Sequence, residues 1–263
     1  MVYRTGNPAL NDSTFDTARP GDALPPAAGE AAATLAGAGG VMTLEGTVQR
    51  SFLLVGLVVL FGAFSFLHVA QHPASPLNVI MMAGGAIAGF ITAMVLIFKK
   101  HLARALAPLY AMFEGITLGA ISAVYEAQYQ GIVLQSVELT VAVLLSLLLA
   151  YTSKLIKPTE NFKLGVVAAT GGIAIVYLVN LVMMMFGHSI PFLHDSGPVG
   201  IGVSLFIVLI AALNLVLDFD FIEKGTEARA PQYMEWYASF GLLVTLVWLY
   251  LEILRLMAKL RKR

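Results

Sequence analysis

From Pro198 to Leu217 the chain carries no formal charge, and it then turns polar at Asp218 and Asp220 in LNLVLDFDFIEKG. An uncharged run of this length crosses a hydrocarbon core of about 30 Å as a helix. Six further apolar runs give spans at roughly 50–70, 77–98, 105–127, 131–153, 163–186 and 233–257, with 198–222 as the sixth in chain order. A soluble chain of 263 residues has no interior able to bury so many. In lipid each backbone amide and carbonyl must be satisfied within its own segment, so the spans are helices. The short two-residue alternation of a membrane barrel is absent. The expected fold is all-α, a polytopic membrane protein built as a bundle of seven transmembrane helices, with the lipid bilayer as its first partner.

Only 12% of residues are charged, against about 25% in soluble domains, which agrees with that solvent. Sixteen basic residues balance sixteen acidic ones, so nucleic acid finds no electrostatic footprint. Zero cysteines exclude thiol chemistry, disulfides and cysteine metal sites. Nucleotide-binding glycine loops, HExxH and GxSxG are absent, so neither enzyme activity nor a cofactor is expected. Residues 1–44 mix Pro, Gly, Ala and Thr and read as a disordered tail ahead of a membrane domain at 45–263.

Basic residues orient the bundle. Arg50 precedes span 1; Lys99, Lys100 and Arg104 separate spans 2 and 3; Lys154, Lys157 and Lys163 separate spans 4 and 5; Lys224 and Arg229 separate spans 6 and 7. The three alternate loops hold no Lys or Arg. This places the N-terminus in the cytoplasm and the protein in the cell membrane. The basic C-terminus, RLMAKLRKR, disagrees: either span 7 crosses against the rule or it is re-entrant and returns inside.

A carboxylate in mid-membrane costs about 2.5–3.5 kcal/mol on insertion scales and faces a bundle interior or a water cavity. Glu114, in YAMFEGITLGAIS, is the deepest, roughly 13 Å into span 3 at 1.5 Å per residue. Asp218 lies about 6 Å inside the end of span 6, with Asn214 one turn earlier on the same face. Asp220 points about 200° away, so it belongs with Glu223 at the solvated membrane edge. Glu235 opens span 7 near the same side; Glu252 and Arg255 are spaced as a local ion pair; Glu138 lies in the outer third of span 4. His68, His72, His188 and His194 fall on the outer side, and a loop setting explains them better than metal binding, so no metal site is assigned.

The order of EGITLGAIS in span 3, LDFDFIEKG closing span 6 and LVWLYLEILRLM closing span 7 resembles the Bax inhibitor-1/YccA, or transmembrane Bax-inhibitor-motif, family over about residues 45–260. The resemblance implies a pH-sensitive calcium leak in which two aspartates on the last two spans share a proton. Asp218 falls on the first of these. The second aligns near Thr245, and no aspartate follows Asp220. Two close carboxylates in low dielectric cannot both ionise cheaply, so a substitute pair, Asp218 with Glu235 or with Glu114, is the expectation for the ion or proton site, with calcium as the permeant ion. The resemblance also implies a second class of function: a modulator that binds and restrains a membrane AAA protease without conducting.

Overall fold

Thr43 starts the first helix. Its backbone is extended and its Oγ1 accepts the Gly46 N–H at 3.0 Å, which caps one of the unpaired amides of the first turn. The computed structural model describes residues 40–262, apart from the side chains of Phe192 and His194. Nearly all of the 1–44 tail therefore lies outside the described residues. Among them are seven helices long and apolar enough to cross a membrane. They are α1 (Leu44–Gln71), α2 (Leu77–Phe98), α3 (Ala103–Gln128), α4 (Ile132–Thr152), α5 (Glu160–Met185), α6 (Pro198–Glu227) and α7 (Tyr233–Arg261).

Two details escape a reading by hydropathy. Helix α2 contains a π-helical turn at Ile80–Gly84, and a single helical turn, Pro191–His194, follows α5. The ends follow local chemistry. Gly131, with φ at 78°, supplies the left-handed turn before α4, and the Glu126 carboxylate accepts the N–H of Gly131 and of Val133. Thr159 caps α5, and Pro198 occupies the first turn of α6.

The helices are not equivalent. About half of each of α3, α6 and α7 is buried, whereas α1, α4 and α5 turn most of their surface outward to lipid. Helix α6 packs against α7, α4, α5 and, near its end, α1. The main core gathers Leu54 of α1, Leu96 of α2, Ala107 and Tyr110 of α3, Phe221 and Ile222 of α6, and Tyr237 and Phe240 of α7. A second core joins α4, α6 and α7 around Leu215, Phe219 and Leu249.

The crossing of α1 with α3 depends on missing side chains. A Cβ at Gly119 would stand 2.1 Å from the Gly62 carbonyl oxygen, and one at Gly115 would stand 2.7 Å from that of Val58. The small residues of EGITLG thus let two backbones touch, and dispersion between them holds the pair in lipid.

Helix α7 is continuous, so the re-entrant alternative is not adopted. Arg261 donates to the Gln130 carbonyl and, at 2.7 Å, to Gln135 Oε1, which puts the C-terminal end beside the α3–α4 turn. Lys99 and Lys100 stand at the other end of the bundle.

Gly119→Val is expected to lower the melting temperature of the purified protein, with an overpacking cost of about 1–3 kcal/mol or more. Gly171→Ala, where a Cβ meets nothing within 4 Å, is expected not to lower it. Comparing the two melting curves checks the crossing.

Candidate functional site

Helix α6 continues to Glu227, past the end at 222 expected from hydropathy. Asp218 therefore lies about 14 Å from that terminus at 1.5 Å per residue, clear of the last turn and its dipole. The residues from Asn214 to Phe219 are all buried, and Asp218 is fully so. Phe221 and Ile222, three and four residues on, share its face and pack into the main core between α1, α3 and α7. Asp218 thus points into the bundle and away from lipid.

Asn214 is 2% exposed, and its amide nitrogen donates to Thr170 Oγ1 and to the Ile210 carbonyl, both at 2.8 Å. Both amide hydrogens are spent, so what Asn214 offers a ligand is its carbonyl oxygen. The Asp218 carboxylate, the Asn214 amide oxygen one turn earlier on α6 and the Thr170 hydroxyl bonded to Asn214 from α5 are hard oxygen donors, the kind calcium takes, although calcium wants six to eight of them.

The other predicted acids have different surroundings. Glu235 is 1% exposed and clamps the start of α1. Its Oε1 accepts the Thr43 N–H at 2.9 Å and the Thr43 hydroxyl at 2.8 Å, while its Oε2 meets Arg50 Nη1 at 2.6 Å. A carboxylate in the first turn of α7 also suits the helix dipole. Glu114 is partly buried at the α2–α3 seam, where a Cβ on Gly89 would come within 3.1 Å of its Oε2. Its helix packs on α1, α2 and α7, and α6 is not among its main neighbours. Thr245 is buried, its hydroxyl donating to the Gly241 carbonyl at 3.4 Å. Glu138 is exposed on α4.

Asp220 is not left to solvent. Lys163, at the head of α5, reaches it at 2.7 Å, and Lys224, one turn along α6, reaches it at 3.0 Å. Glu223 is exposed as expected and accepts from Tyr151 of α4. At the opposite end, Arg255 contacts both Glu252 oxygens at 3.0 and 3.1 Å, and Tyr177 of α5 donates to the same carboxylate at 2.8 Å. Lys259 donates to the Gly200 carbonyl at 3.0 Å.

Reading spans one at a time missed Tyr177, Thr170, Lys163, Ser239 and Thr43. Ser239 is fully buried on α7, donates to the Thr47 carbonyl and accepts from Ser51. The signal for these was a polar residue inside or beside an apolar run, but its partner sits on a different span. His68 and His72 stack with ring centroids 5.0 Å apart, and no group of three metal-ligating side chains occurs among the described residues.

Helix α5 is thereby tied to its neighbours at three heights: Lys163–Asp220, Thr170–Asn214 and Tyr177–Glu252. Asp220→Asn is expected to cost about 1–3 kcal/mol and to speed hydrogen exchange in α5, because Lys163 loses its nearest counter-charge. Glu138→Gln is expected to change neither stability nor exchange.

A family model described as Bax inhibitor 1 like matches residues 7–262. No curated protein matches the chain at a significant level.

Proposed function

The chain belongs to the Bax inhibitor 1 like family, and from that premise we propose that it is a pH-sensitive cation leak, with calcium as the permeant ion, gated by protonation of Asp218. The observation that carries this reading is the enclosure of Asp218 by the bundle on a helix that packs against four others. A carboxylate so placed couples its proton to conformation. Neutral, it fits a closed core; ionised, it favours a state that brings it water or a cation. Asn214 adds an oxygen one turn earlier on α6, and Thr170 of α5 is bonded to its amide.

The gate in this reading has one acid rather than two. Glu235 is occupied by Thr43 and Arg50, Glu114 belongs to another seam, and Thr245 brings no charge to the second position. The leak would sit in the cell membrane with the α1 end in the cytoplasm, because Lys99, Lys100, Arg104, Lys154, Lys157, Lys224 and Arg229 gather at that end. The basic C-terminal stretch would cross against the rule with three of its charges engaged: Arg255 with Glu252, Lys259 with the Gly200 carbonyl, and Arg261 with Gln130 and Gln135.

Flux of calcium and of sodium from liposomes holding the purified full chain, measured across a pH series, tests the reading. The expected result is a calcium flux that varies with pH in the wild type and loses that dependence in Asp218→Asn. An unaltered pH profile in the variant would reject Asp218 as the gate.

A further inference from the structure

The residues just ahead of α1 do not trail away from the bundle. Met42 donates its N–H to the Ala230 carbonyl at 2.7 Å, and Gln232 donates to the Gly40 carbonyl at 2.9 Å. Val41 stands opposite Pro231 in an antiparallel bridge, so the strap 40–42 pairs with the turn between α6 and α7. The Met42 side chain enters the bundle. It is 1% exposed and belongs to the cluster of Ala103, Ala107, Phe221, Ile222, Met234 and Tyr237. Phe221 and Ile222 are the residues that share the helix face of Asp218. Met42 therefore closes the basic-loop end of the core into which Asp218 points.

Glu235 holds this strap. One oxygen takes both the backbone and hydroxyl hydrogens of Thr43, and the other takes Arg50, which in turn donates to the Gly46 carbonyl at 2.9 Å. The approach requires a glycine: a Cβ at Gly46 would stand 2.2 Å from Glu235 Oε1. Apart from this carboxylate and the burial of Met42, the strap has only a two-bond ladder, too short to be stable alone. Methionine is unbranched and flexible, so it can withdraw without forcing a helix to move. Val41 is 51% exposed, which leaves the outer side of the strap open to water.

We propose that Gly40–Met42 is a releasable stopper over the core that encloses Asp218, with Glu235, acting through Thr43, as its latch. Glu235 is then a positioning residue for the N-terminal strap and not a second gating acid. What release does to ion flux rests on the reading of Asp218 given above; the movement itself does not, and it is measured without any flux.

The chain has no cysteine, so Met42→Cys is a single reporter. Its labelling by a membrane-impermeant maleimide is followed on the full chain in nanodiscs, which leave both faces accessible. Labelling is expected to be slow in the reporter chain and about tenfold faster when Glu235→Gln is added, the scale set by losing one charge-assisted hydrogen bond. Gly46→Ala gives a second route to the same state. Its methyl would stand 2.2 Å from the Glu235 oxygen and 2.7 Å from Thr43 Oγ1, so it forces the two apart, and the same acceleration is expected. Thr43→Ser keeps both donors and stays slow. Fast labelling in the reporter chain alone, or rates unchanged by both Glu235→Gln and Gly46→Ala, would overturn the proposal.

Discussion

A polar atom inside a bilayer has no water to fall back on, so each one must find its partner within the bundle, and this condition decides which helix can carry what. Helix α6 carries Asn214, Asp218 and Asp220 within two turns because α1, α4, α5 and α7 surround it. Some hydroxyls are served locally: Thr92 of α2 and Thr140 and Thr152 of α4 each return theirs to a carbonyl one turn back. Where a side chain cannot be satisfied locally, it reaches across a seam, and those reaches are the joints of the fold.

Two kinds of joint result. Between α1 and α3 the helices touch backbone to backbone at Gly62, Gly115 and Gly119, with the Ser65 hydroxyl donating to the Ile116 carbonyl at 2.7 Å beside them, a close contact that is hard to loosen. Between α1 and α7, and between α5 and its neighbours, the seams are polar: Glu235 with Thr43 and Arg50, Ser239 with Thr47, Asn214 with Thr170. Hydrogen bonds of this kind in membranes are worth about 0.6 kcal/mol on average, so they orient helices more than they fasten them. Helix α5 packs mainly on α6 and is the least securely held of the bundle. The core therefore combines a rigid pair, α1 with α3, and a periphery located by a few polar contacts.

The sequence made the spans legible because length and hydropathy are properties of one segment at a time. It also made the inward direction of Asp218 legible, since the angle of 100° per residue separates its face from that of Asp220. Partners were another matter. Glu235 meets Thr43 across 192 positions, Tyr177 meets Glu252 across 75, and no periodicity within a span encodes which neighbour it will face. Asp220 reads as solvated in the sequence because Lys163 belongs to a basic loop there, whereas the folded chain brings that lysine back over α6. Glu223 and Lys224 look like a boundary in the sequence, but an exposed helical turn tolerates both, and α6 runs on to Glu227. The strap at Gly40–Met42 was invisible, since a methionine at the end of an Ala- and Gly-rich stretch carries no sign that it will be buried.

The account turns on one carboxyl being sheltered by its own bundle. Infrared difference spectroscopy of the full chain in nanodiscs, titrated across the physiological pH range against Asp218→Asn, examines that group directly. The account predicts a protonated-carboxyl band that disappears as pH rises and is missing from the variant. Spectra of wild type and variant that coincide throughout, with position 218 ionised at every pH, would contradict it.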